Sequence, residues 1–94
     1  MPREERKFLV GTVTQYLANI SVAIVKVQKG AVQTNDMLAF EGPQTKFRQK
    51  ITSLEMNHQP VTVGRVGEEV GMKVQTPVAE GDQVFRVDYV SANR

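Results

Sequence analysis

One histidine, His58, is the only imidazole in the chain, and Ser53, five residues before it, is the serine closest to it in sequence. A serine nucleophile needs a base within hydrogen-bond reach, so this pair marks where acyl-transfer chemistry would have to sit. No motif accompanies it, and the simpler reading of His58 is a loop residue that hydrogen-bonds backbone. Cysteine is absent, which excludes disulfides, thiolate zinc sites and a thiol nucleophile. The Gly-x-x-x-x-Gly-Lys-[Ser/Thr] phosphate loop is missing, as is any His/Asp/Glu cluster at metal-ligand spacing. The expectation is therefore a protein that is not an enzyme and uses no metal, nucleotide or other cofactor.

What remains is recognition chemistry. Lys46, Arg48 and Lys50 form an alternating basic row. It reads either as a solvated outer face or as a stripe that meets phosphates without reading bases. The phenylalanines at 8, 40, 47 and 85 suit a core, which leaves Tyr16 and Tyr89 as candidates for stacking on a base. A net charge of +2 and an isoelectric point near 9.2 permit an anionic partner without requiring one.

The elements that position these residues are extended. Valine, isoleucine and threonine number 25 against ten alanines plus leucines, a ratio that favours the pleated surface on which β-branched side chains fit. In the central stretch from Phe47 to Pro60, Phe47, Gln49 and Ile51 share one side while Arg48, Lys50 and Thr52 share the other. The apolar set then changes phase to Leu54 and Met56. A flat strand cannot do this without turning its core side to water, so a bulge or sharp coil is expected at Thr52-Ser53, letting one long strand serve two parts of a sheet. Asn57-His58-Gln59-Pro60 should end it, because proline donates nothing to a ladder.

Further strands are expected over Lys7–Leu17, Ile20–Val27, Met37–Glu41, Glu69–Val74 and Gln83–Val87, with Val61–Arg65 as a connecting segment, either irregular or briefly extended. Residues 1–6 and 89–94 read as tails around one domain spanning 7–88. Two turns share a pattern, Val32-Gln33-Thr34-Asn35-Asp36 and Val78-Ala79-Glu80-Gly81-Asp82. Each carries a residue tolerant of positive φ followed by an aspartate able to bond local backbone. Six strands with regular turn signals describe an all-β fold, a small six-stranded antiparallel closed barrel. Phe8-Leu9-Val10 is too short for a signal-peptide core and no segment approaches membrane-spanning length, so the expected address is the cytoplasm.

Two stretches carry a family likeness. Ile51-Thr52-Ser53-Leu54-Glu55-Met56-Asn57-His58 resembles a strand and its exit in domain II of translation elongation factors, and Gly64-Arg65-Val66-Gly67-Glu68-Glu69-Val70-Gly71 looks like the run that follows there. Gly11-Thr12-Val13 and the two aspartate turns match in order, and Asn35 departs from the family's glycine. The likeness covers residues 8 to 87 and implies a barrel of the domain II type. The chain also resembles the small barrel at the C-terminus of collagenase-like peptidase family proteins, a non-catalytic appendage.

The first resemblance implies contact with tRNA or the ribosome, with Glu55 lining a terminal-adenosine pocket, His58 at its rim and Arg65 in a neighbouring loop. The second implies a module that docks on a separate GTPase or peptidase-like protein partner. Both readings describe a binding module with no membrane role.

Overall fold

Alternation of buried and half-buried side chains along Val22–Val27 shows how the β-branched composition becomes structure: Ala23, Val25 and Val27 enter the core and Val22, Ile24 and Lys26 face outward. The computed structural model describes residues 3–91, and among these there is no helix. The strands are β1 (Arg3–Leu17), β2 (Val22–Val27), β3 (Ala31–Gln33), β4 (Met37–Gly42), β5 (Thr45–Lys50), β6 (Leu54–Met56), β7 (Gln59–Val61), β8 (Val63–Arg65), β9 (Glu69–Lys73) and β10 (Gln83–Ser91). All pairings are antiparallel.

The all-β class is as expected; the six-stranded closed barrel is not what forms. Ten strands make an eight-stranded sheet in the order β5-β4-β10-β1-β2-β9-β6-β7 and a separate β3–β8 pair. The central stretch breaks at residues 51–53, where the apolar phase changes, and its halves go to different parts of the sheet: β5 pairs with β4, β6 with β9 and β7. Asn57 and His58 have φ of 54° and 63° and form a two-residue hairpin turn. Pro60 is thereby admitted to β7, a strand at the end of the sheet where a missing donor costs no interior ladder bond. Val61–Arg65, expected as a connecting segment that is irregular or briefly extended, takes the extended form and contributes to the short strands β7 and β8.

No ladder joins β5 to the far side of the sheet among the described residues. A side chain bridges that gap instead. Buried Gln49 donates from Nε2 to the Lys73 carbonyl at 2.8 Å and accepts from the Gln75 amide at 2.7 Å, so its carboxamide stands in for a peptide group.

Three turns share one construction. In Gln33–Asp36, Arg65–Glu68 and Ala79–Asp82 the third residue has positive φ (Asn35 77°, Gly67 93°, Gly81 92°). The fourth amide donates to the first carbonyl, at 3.1, 2.9 and 3.1 Å, and the fourth side chain accepts from the first amide, at 2.9, 2.7 and 2.9 Å. Each turn then docks by two backbone bonds on one core residue: Ile51 takes the first, Val27 the second and Val13 the third. The sequence pattern identifies the first and third.

The core fills with Val10, Val13, Val25, Val27, Val32, Leu38, Phe40, Ile51, Leu54, Val70, Met72 and Val84. Phe47 covers it by stacking on Phe40, with centroids 4.9 Å apart. Beyond the core, β1 and β10 stay in register from Arg3↔Ser91 to Leu9↔Phe85, so residues 3–6 and 89–91, expected as tails, are ladder-paired. Residues 1–2 and 92–94 lie outside the described residues. A bulge at Val10 turns its carbonyl to accept from Gln28 and Lys29.

Candidate functional site

The basic row lies on the outward side of β5, an end strand of the sheet, with Lys46, Arg48 and Lys50 all exposed. Charged side chains along such an edge discourage pairing with another chain. A glutamate from β1 engages the middle of the row, and a second ion pair lies beside it. Arg48 Nε donates to Glu5 Oε2 at 2.8 Å, with a second guanidinium contact beside it, and this hydrogen bond raises the Arg48 pKa further. Lys7 bonds Glu41 and lies 5.2 Å from the Phe85 ring centroid. The Lys7 bond, aided by the charges of Lys46 and Arg48, holds the Glu41 carboxyl below its ordinary range. A phosphate approaching Arg48 would have to compete with Glu5.

Glu55 and His58 come together elsewhere. On the outside of the β2–β9–β6 region they border a hollow of about 280 Å³. Its apolar lining is Leu17, Ile20, Val22 and Ile24, and Asn57, Glu69 and Gly71 complete it. Two hairpin tips build its rim. The β1–β2 tip carries Ile20, half exposed at 50%, beside Ser21 at φ 56°. The β6–β7 tip carries Asn57 and His58, both in the left-handed region that a side chain disfavours. The floor follows from register, since Gly71 pairs with Ile24 on one side and Glu55 on the other.

Arg65 does not join this group. It lines a second hollow with Met56, Pro60, Val61 and Glu68, and its amide donates to Glu68. Ser53 lines an adjoining hollow with Glu55 and Lys73, and no hydrogen bond links it to His58 among the described residues. Tyr16 packs against the core, whereas Tyr89 is 40% exposed. Sequence reasoning missed Leu17, Ile20, Ile24 and Gly71. The outward-facing residues of a nearly unbroken apolar strand and a glycine inside a strand were the available signals.

The comparisons fall on one side of the two resemblances. No protein-family model matches the chain. An uncharacterised protease of Methanocaldococcus jannaschii is 30% identical over 81 residues, which are 85% of this chain and 20% of that protein. The chain thus spans about a fifth of the length of this curated relative. The C-terminal domain of a Geobacillus thermoleovorans putative U32 peptidase superposes with a TM-score of 0.77 at 23% identity, covering 88% of this chain and 93% of that domain. Its selenomethionine variant gives 0.76 at 22% identity, over 81% and 95%. The fold is thus that of a domain found at the C-terminus of a peptidase-type protein. Neither relative is a translation factor, and the elongation-factor likeness finds no support in them.

Proposed function

We propose that this chain is a non-catalytic docking module that works with a peptidase-like protein. The observation that carries this is the superposition of nearly the whole chain on an isolated C-terminal domain of a U32 peptidase, supported by the protease relative in which the matching part is a fifth of the length. The chemistry agrees with a binding role. Ser53 and His58 are not hydrogen-bonded, and Arg48, the middle of the basic row, is engaged by Glu5.

Contact with tRNA or ribosomal RNA, the other expectation, has less behind it, because the Arg48 guanidinium is already committed to a carboxylate. The test is to mix the purified chain with a U32-type peptidase lacking its own C-terminal domain and to measure association by calorimetry. Micromolar or tighter binding is expected. No association at 100-fold higher concentrations, together with salt-sensitive binding to tRNA, would reverse the choice.

A further inference from the structure

Gly71 is the one glycine for which neither backbone nor packing supplies a reason. Gly30, Gly67 and Gly81 have positive φ, and a Cβ at Gly11, Gly42 or Gly64 would come within 2.2, 1.9 or 2.7 Å of a neighbouring atom. At Gly71 an added Cβ would sit 3.4 Å from Ile24 Cδ1 and from Val22 Cγ1, an ordinary contact. An alanine would fit there and would favour the strand, since glycine loses more conformational freedom and packs nothing. The missing side chain does one visible thing: it keeps open the floor of the hollow between Ile24 and Glu55.

From this we infer that the hollow at Gly71 is a docking site for an extended polypeptide segment carrying an apolar side chain next to a lysine or arginine. The inference rests on the docking-module reading and names the surface and the chemistry of the segment it takes. A volume of about 280 Å³ lined by Leu17, Ile20, Val22 and Ile24 holds one or two apolar side chains. The charge comes from Glu55. Glu69 faces Lys26 across the β2–β9 ladder, and Lys73 lines the adjoining hollow, but no ion pair engages Glu55 among the described residues. An unpaired carboxylate at an apolar rim complements a cation and repels a nucleic-acid backbone. The exposed Ile20 supplies a flap of apolar surface on the opposite tip.

The test uses the 94-residue chain and amide-resolved NMR. The probe is acetyl-Ala-Leu-Arg-amide, with acetyl-Ala-Ser-Arg-amide and acetyl-Ala-Leu-Glu-amide as controls. Saturable shifts are expected at Leu17, Ile20, Ile24, Glu55 and Gly71, with at least fivefold weaker binding of either control. Gly71→Ala, whose spectrum should retain the native dispersion, is expected to weaken the probe at least fivefold, and Ile20→Ser likewise. Shifts confined to another face, or equal binding to Gly71→Ala and the native chain, would overturn this surface while leaving association with the peptidase protein to be judged by its own experiment. Adenosine filling the hollow more tightly than the peptide would assign the site to nucleic acid and overturn the proposal too.

Discussion

Replacing Gln49 with leucine removes the side chain that bridges β5 to the end of β9 while keeping bulk at a position only 8% exposed. Two hydrogen bonds go at once, at 2.8 and 2.7 Å, and they leave the Lys73 carbonyl and the Gln75 amide without their partner. A net hydrogen bond is worth about 1 kcal/mol and an orphaned buried group costs more, so the loss should be about 2 kcal/mol, reduced by whatever water reaches these two groups. For a domain of this size that lowers Tm by about 8–16 °C. Thermal unfolding followed by circular dichroism measures the total, and amide hydrogen exchange at Gln75 locates it. Gln49→Glu tests the donor separately, because a carboxylate can accept from the Gln75 amide but cannot donate to the Lys73 carbonyl. It should also destabilise the fold. A leucine variant with unchanged Tm and unchanged Gln75 protection would show that the seam is held by something other than this side chain.

Other perturbations follow from the same geometry. Gly64→Ala should cost about 1–3 kcal/mol by overpacking, since its Cβ would come 2.7 Å from Val70 Cγ1 inside the core; chemical denaturation reads this directly. Asn35→Gly should gain about 0.5 kcal/mol by relieving a side chain held at positive φ, and calorimetry would show a small rise in Tm. The Lys7–Glu41 bond sets a pH dependence. Because the folded-state pKa of Glu41 is depressed, its contribution is present above the ordinary carboxylate range and is lost as pH falls through the folded value. Lys7→Met should therefore flatten the fall in stability between neutral and acidic pH, measured by denaturant midpoints, with the effect shrinking in high salt.

How much of this the chain declares in advance depends on the distance over which each feature is written. The apolar phase change after Ile51 is local, so the break that sends β5 and β6 to different partners is legible. So are the turns at Asn35-Asp36 and Gly81-Asp82, because a residue tolerant of positive φ next to a short acid encodes them. The third turn, at Gly67-Glu68, escapes the pattern since a longer glutamate does the aspartate's work. Pro60 is misleading for a different reason: proline excludes an interior strand, and β7 lies at the end of the sheet.

Long-range features are not legible. Nothing near Gln49 announces Lys73 and Gln75, and nothing near Arg48 announces Glu5, so neither the side-chain bridge nor the engagement of Arg48 can be read from spacing. For the candidate site, Glu55 and His58 border one hollow. Their apolar neighbours come from β1, β2 and the hairpin tip between them, and Arg65 belongs to another hollow. The site is written in the pairing of β2, β9 and β6, which only the folded chain displays.

Association with a peptidase-type protein is the most direct measurement of what this domain is for. Calorimetric titration of the chain into a U32-type peptidase stripped of its own C-terminal domain should give a saturable one-to-one complex at micromolar concentrations. A flat titration there, alongside tRNA binding that weakens steeply with salt, would contradict the account.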